Sequence, residues 1–327
     1  MTTPILVVAT IASSIAPARF ARALAQAGAS VSLLVPSNAH ARHTRHVARV
    51  GLVPPQAPAT RWAEALFALM DAARPRAIAF SDARALELCA GLAFSPPPAL
   101  RPKRASELAA RLAASLGGVD RLASTLDPLR RAALLAEAGV RAPPAPSPSA
   151  SDLGAERAPA GTEYTHHVAA CEGRVLASAT AEHLVVDRAR GPTVLRFCAH
   201  AAIDALAERA IGAIGASGCC SLDVVVDAEG AAWLLGIDRH VGATMHVSQW
   251  LGVDLVAAWL ASLDGRPYGG ATSMAGQATR ISVAFPQEWQ RDRESRWLRE
   301  HRVDVPWDDQ NLLDAILQDE VAAAQRR

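Results

Sequence analysis

Aromatic residues are scarce in this sequence, at 5% of 327 residues, although half of the chain is hydrophobic and Ala and Leu fill most apolar positions. That mixture suits amphipathic helices packed on a sheet and argues against disorder. Net charge is nearly absent, at +1. No basic field therefore exists to draw nucleic acid or an anionic membrane, and neither is an expected partner. No apolar stretch is long enough to cross a bilayer. The apolar start, Ile5-Leu-Val-Val-Ala-Thr-Ile-Ala, has no Lys or Arg before it, as a signal peptide would require. A soluble cytoplasmic protein is expected. The cysteines are Cys89, Cys171, Cys198, Cys219 and Cys220, an odd set with two adjacent and no CxxC pair. Neither a disulfide framework nor a zinc site follows from them; reduced, mostly buried thiols do.

What is present divides the chain. The length suits two or three packed subdomains. Up to about residue 126 strands alternate with helices. Ile5–Ala9, Val31–Val35 and Ala77–Phe80 read as buried parallel strands. Phe20, Leu24 and Ala27 recur at helical spacing before Gly28, and Trp62, Leu66 and Met70 share one helix face. Ser81-Asp82 caps the next helix. Strands separated by helices predict a parallel sheet with right-handed crossovers. The first turn, Ala9-Thr-Ile-Ala-Ser-Ser-Ile, lacks the glycines of a dinucleotide site.

Helices are predicted over Ser106–Leu116 and over Asp127–Ala138, the second with Asp127 as N-cap, Pro128 at its first position and Gly139 past its end. Residues 127–160 hold this helix and a Pro/Ser-rich linker beginning Arg141-Ala-Pro-Pro-Ala-Pro-Ser-Pro. Residues 161–327 turn to hairpins. Thr162–Ala170 and Val175–Ala179 flank a turn at Cys171-Glu-Gly-Arg. A helix follows from about His200 to Ile214. Then Ser221–Val226 turns at Asp227-Ala-Glu-Gly into Ala231–Asp238. Trp250–Leu263 reads as one amphipathic helix, and the tail adds a strand at Arg280–Phe285 and a short polar helix at Glu294–His301.

The hairpin carries the chemistry. If Val226 pairs with Ala231, Asp223 lies opposite Leu234, and side-chain alternation puts Asp223, Leu234, Gly236 and Asp238 on one face. Trp233, Leu235 and Ile237 then face a core. Two carboxylates on one face suit Mg²⁺, a hard cation that shares its oxygens with phosphate. Arg239 and His240 follow directly and can reach an anion beside it. The alternative is a pair of solvated acids on an exposed sheet.

The stretch from Gly218 to Thr244 resembles the C-terminal hairpin of ATP-grasp enzymes, with an acid on the first strand, a Gly-containing turn, and a run similar to Glu-x-Asn-x-Arg before a small-residue loop. Trp250-Leu-Gly-Val-Asp-Leu looks like the start of the family's next helix. Leu135-Ala-Glu-Ala-Gly-Val-Arg-Ala-Pro-Pro resembles its entry into the grasp, and Ala160-Gly-Thr-Glu-Tyr-Thr resembles the Gly-x-Glu that opens its metal-bearing subdomain. The likeness implies an α/β chain: a parallel-sheet domain of the pre-ATP-grasp kind over 1–126, and a truncated ATP-grasp-like domain over 161–327. It implies a metal at Asp223 and Asp238 and a substrate site touching Glu163, Arg239 and His240, with no catalytic residue identified; His246, which follows the Gly242-Ala-Thr loop, is placed to line the same cleft as His240.

The departures are as informative. The family's bridging Glu falls on Gly236, its Asn on Asp238 and its Arg on His240. Only Ser147–Pro159 fills the interval where the family carries a phosphate-binding strand and a glycine-rich lid, and no Lys follows Lys103. Phosphoryl transfer needs metal ions on the phosphates and cations against the developing charge. The expectation is a divergent ATP-grasp-like protein that binds a small amino- or carboxylate-bearing metabolite. Mg²⁺ remains compatible with it, ATP is poorly supported, and ligation is lost or altered. Two alternatives stay open: an active ATP- and Mg²⁺-dependent carboxylate–amine ligase with a reduced nucleotide site, and a noncatalytic partner of a full-length relative. A homodimer is compatible with either.

Other signals read more plainly. His40, His43 and His46, interleaved with Arg42 and Arg45, suit a solvated polar helix better than a metal site. His166 and His167 point to opposite faces of a strand, so at most one joins a site. Ser221 and Ser248 lack the Gly-x-Ser-x-Gly context of a serine hydrolase.

Overall fold

The computed structural model describes residues 2–98, 100–118, 127–143 and 159–325. Strand β1 (Pro4–Val8), helix α1 (Ala16–Gln26), β2 (Ser30–Pro36), β3 (Arg49–Val53), α2 (Ala59–Ala73), β4 (Ala77–Phe80), α3 (Ala83–Phe94) and α4 (Pro102–Leu116) build the first layer. Its sheet runs β3-β2-β1-β4 and is parallel throughout, as the alternation predicts. Gly28 ends α1 at φ +91°, where a residue with a Cβ would be strained. Asp82 caps α3, accepting from the Ala85 N–H at 2.8 Å.

After α5 (Pro128–Glu137) come β5 (Gly161–Cys171), β6 (Arg174–Asp187), β7 (Gly191–Cys198), α6 (Ala201–Ile214), β8 (Gly218–Asp227), β9 (Ala232–Asp238), α7 (Leu255–Leu263), β10 (Arg280–Val283), α8 (Gln287–Arg291), α9 (Arg296–Glu300), β11 (Arg302–Val303) and α10 (Gln310–Gln325). The second sheet runs β11-β10-β7-β6-β5-β8-β9; it is antiparallel except where β10 meets β11. Asp127 caps α5 by accepting from the N–H groups of Leu129 and Arg130.

Period-two alternation divides the interior. Along β1, Ile5 and Val7 enter one core while Leu6 and Val8 enter another formed with α2, α3 and α4. The first of these cores also takes Phe20 and Leu24 of α1, Ala169 of β5, Leu195 and Phe197 of β7, and Trp259 of α7, so the two sheets share it. Phe20 and Trp259 stack there with ring centroids 6.3 Å apart. A third core joins α5 and α6 to the other face of β5, β8 and β9.

Three local expectations need correction. The single helix over Trp250–Leu263 is two pieces, a 3-10 turn at Met245–Leu251 and then α7, because Gly252 adopts φ +81° and Asp254 starts a new cap on the Ala257 N–H. The three-histidine segment is one 3-10 turn, His40–His43, rather than a solvated helix. There His40 Nε2 sits 2.6 Å from Asp319 of α10, and His46 Nε2 lies 3.5 Å from Asp308. Strand β3 and helix α10 were not anticipated. The Pro/Ser-rich linker beyond Pro143 lies outside the described residues up to Ala158.

Because Trp259 is 2% exposed in the core that both sheets share, Trp259→Ala is expected to lower the unfolding free energy by about 3–5 kcal/mol. Urea denaturation followed by circular dichroism measures it, and a loss under about 1 kcal/mol would contradict the shared core.

Candidate functional site

The hairpin β8–β9 does not take the register that the turn alone suggests. Asp227 accepts from the N–H groups of Glu229 and Ala231, its own N–H donates to the Ala231 carbonyl, and Val226 therefore pairs with Ala232. The Leu234 N–H donates to the Arg141 carbonyl at 2.8 Å, so the chain entering from α5 runs along the strand edge. A bulge follows at Leu235. Bulges reset the alternation. Leu234 and Ile237 consequently both enter the α5–α6 core, Leu235 is exposed, and Asp223 stands opposite Gly236 rather than Leu234. Ser221 stands opposite Asp238.

The bulge offsets the one-residue change of register, so Asp223 and Asp238 still converge on one cavity, of about 260 Å³. Strand β5 supplies its middle: Thr165 pairs with Asp223, and His167 pairs with Ser221. The first layer closes it with Ser14 and Arg19 near the start of α1 and Ser81 after β4. The Val241 N–H donates to the Phe80 carbonyl at 2.8 Å, which brings the segment after β9 against the end of β4.

Side chains on the cavity face form two hydrogen-bonded couples. Thr165 Oγ1 lies 2.9 Å from His183 Nε2 and donates to Asp223 Oδ1 at 3.2 Å, while His183 Nδ1 lies 3.5 Å from Glu163. His167 Nδ1 and Nε2 lie 2.9 Å from the hydroxyls of Ser221 and Thr244. Burial, followed by the charge of Asp238, raises the Asp223 carboxyl above its ordinary range. Burial pushes His167 down to about 3, helped by nearby histidines, and does the same to His166 on the opposite face.

The six residues expected at the site part company here. Asp223, Asp238 and His240 line the cavity, His240 Nε2 lying 3.5 Å from Asp238. Glu163 stands on the same strand face as Thr165, half-exposed beside His183. Arg239 turns the other way. It is buried, donates to the Leu116 carbonyl, and has its guanidinium pKa lowered by that burial, so it is not a lining residue. His246 is also buried outside the lining, 2.9 Å from Asp304, where burial lowers its pKa more than Asp304 raises it. Asp304 in turn holds Arg19 at 2.6 Å. Sequence reasoning missed Arg19, Ser81, Thr165 and the pairing of His167 with Ser221. Alternation along Glu163, Thr165 and His167 is the signal that carried the last two.

No protein-family model and no curated protein matches the chain in sequence. Solved structures do match in fold. A complete multifunctional pyruvate carboxylase from Rhizobium etli aligns with a TM-score of 0.59 at 14% identity, over 85% of this chain and 30% of that one. An L-amino acid ligase from Bacillus licheniformis aligns at 0.53 and 12%, over 80% of this chain and 75% of that one. The biotin carboxylase domain of the Hydrogenobacter thermophilus 2-oxoglutarate carboxylase, solved with MgADP, ADP and bicarbonate, aligns at 0.59 and 12%, over 86% and 74%. The chain therefore has the ATP-grasp fold in a shortened form.

The buried histidines set a pH dependence. Both bind protons less readily folded, at about 3, than at their ordinary 6.5. The unfolded chain thus holds more protons below pH 6.5, so stability is full above that value and falls as pH drops toward 3. The urea midpoint is expected to decline from about pH 6.5 to about pH 5, with a shallower slope in His167→Gln. A flat profile in the parent chain would refute the assignment.

Proposed function

We propose that this chain is a divergent ATP-grasp-fold protein that binds a small amino- or carboxylate-bearing metabolite, and that the ATP-dependent ligation of such folds is lost or altered in it. The supporting observation is the cavity, about 260 Å³ and lined by Asp223, Asp238, Thr165, Ser221 and His240. Its size falls below the ~300–1,000 Å³ of pockets for drug-sized ligands. A metabolite much smaller than a nucleotide suits it. The five free cysteines fit a reducing, cytoplasmic setting, and among the described residues no helix is long and apolar enough to cross a membrane.

Magnesium is the cation that the fold implies, and Asp223 and Asp238 are the residues that would hold it. The donor set does not fit a resident metal. Gly236 contributes no side-chain oxygen where it stands opposite Asp223, and among the described residues no group of three or more His, Cys, Asp or Glu side chains is arranged for a metal. Two carboxylates with neither a third ligand nor a phosphate make a weak Mg²⁺ site. No lysine follows Lys103 to neutralise a phosphate. What the side chains can do is bind and orient. Thr165 and His183 fix the Asp223 carboxyl, while His167 fixes Ser221 with both ring nitrogens engaged.

Two measurements test this reading. Thermal-shift titration is expected to give no response to Mg·ATP and a rise with a small amine- or carboxylate-bearing metabolite; saturation at a hundred times Kd would add about 2.7 kcal/mol. A clear Mg·ATP stabilisation abolished by Asp223→Ala would sink it. Gly236 supplies the second test, since a Cβ there meets nothing within 4 Å. Gly236→Glu is expected to fold and to be stabilised by Mg²⁺, which leaves the parent chain unmoved. Equal Mg²⁺ stabilisation of both would show that two carboxylates suffice.

A further inference from the structure

Four buried polar atoms of residues that line this cavity have no hydrogen-bond partner among the described residues: Arg19 Nε, Ser81 Oγ, His240 Nδ1 and Gln287 Oε1. Arg19 is 4% exposed and Ser81 8% exposed, so neither can turn to bulk water. A buried donor or acceptor left unmade costs free energy, and folded proteins pair such groups with water or ligand. Here the four residues that carry them all line one small cavity. Arg19 Nε–H is a donor left over after Nη2 bonds the Phe285 and Asp304 carbonyls and the Asp304 carboxylate. Ser81 offers a hydroxyl donor. Gln287 Oε1 is an acceptor, as are the carboxylates of Asp223 and Asp238.

Charge decides what kind of ligand satisfies this set. Arg19 is neutralised by Asp304 at 2.6 Å and Arg190, which also lines the cavity, pairs with Asp187 at 3.4 Å, whereas among the described residues Asp223 and Asp238 have no ion pair with a basic group closer than the 3.5 Å between Asp238 and His240. A purely anionic ligand would meet two carboxylates, and a purely cationic one would leave the Arg19 and Ser81 donors unused. We infer that the ligand is a small zwitterion, a free amino acid or close analogue, whose ammonium takes the place of a metal between Asp223 and Asp238 while its carboxylate accepts from Arg19 Nε–H and Ser81. This rests on the small-metabolite reading above and sharpens it, since that reading is met by an amine or a carboxylate alone. It also makes binding independent of divalent cations.

The test uses the full chain in the presence of EDTA. The proteinogenic L-amino acids are screened by thermal shift beside simple carboxylates and simple amines of matched size. The best amino acid is then titrated calorimetrically against its N-acetyl derivative and its α-carboxamide. At least one free amino acid is expected to bind, with each derivative weaker by about tenfold or more, as befits a lost charge-assisted contact. Asp223→Asn should weaken it by about tenfold and Ser81→Ala by a few-fold. Neither variant disturbs the buried Arg19–Asp304 pair, so both are expected to fold. If simple carboxylates or amines bind as tightly as the amino acid, or if binding appears only with Mg²⁺ added, the zwitterion inference falls and the small-metabolite reading stands. If no probe of any class binds, both fall.

Discussion

The cleft depends on one ion pair in the interior. Arg19 of α1 and Asp304, just after β11, are 4% exposed each, 2.6 Å apart, and separated by 285 residues of sequence. Burial lowers the arginine's pKa. Burial would lift the aspartate, but Arg19 and His246 outweigh it and hold the carboxyl below its usual range. Such a pair adds little net stability over an apolar one, yet removing one member strands the other at about 3–5 kcal/mol. What the pair provides is placement. It fixes α1 against the C-terminal segment at a point where α1 also faces the hairpin, and so sets one wall of the cavity. Asp309, hydrogen-bonded to Thr44, extends the same tie from the start of α10 to the first layer.

The opposite wall is set by strand parity. Odd positions of β5 and β8, namely Thr165, His167, Ser221 and Asp223, face the cavity, and even positions such as Val168, Leu222 and Val224 enter the core under α6. One face of a single pair of strands thus carries hydroxyls, imidazole and carboxylate, while the other carries the apolar residues that hold it rigid. Period two makes this division compulsory, because a slip by one residue would bury Asp223 and expose Leu222.

That parity was the legible part of the site. The strand–helix alternation of the first layer gave its sheet, whereas the common face of Asp223 and Asp238 was reached through a register one residue off, which the Leu235 bulge happens to offset. Other features were not readable, for stated reasons. Strand β3 is a short edge strand whose apolar run, Val50-Gly-Leu-Val, is interrupted by Gly51 and followed at once by Pro54-Pro55, so it carries the marks of a loop as much as of a strand. The Leu235 bulge arises where Arg141, distant in sequence, captures the Leu234 N–H. Arg19 reads as one more charge on an Ala-rich helix until its partner folds onto it. Arg239 and His246 leave the cavity through tertiary packing that no local pattern announces: Arg239 turns onto the Leu116 carbonyl, and His246, on the 3-10 turn Met245–Leu251, is buried against Asp304.

The shortened fold also reframes what the acid pair is for. In a site with phosphates and a third oxygen ligand, two close carboxylates are neutralised by metal. Here Gly236 offers no side-chain ligand atom, and burial with mutual repulsion raises Asp223. Keeping two such groups in a small cavity is costly unless something cationic enters. A ligand that carries its own positive charge offsets that cost without a metal. The same cavity then becomes selective, because molecules lacking an ammonium leave the repulsion unrelieved and those lacking a carboxylate leave Arg19 and Ser81 unpaired. On the proposed reading, the missing side chain at Gly236 has two consequences at once: a metal-borne phosphate site is weakened, and the acid pair is left to a ligand that brings its own positive charge.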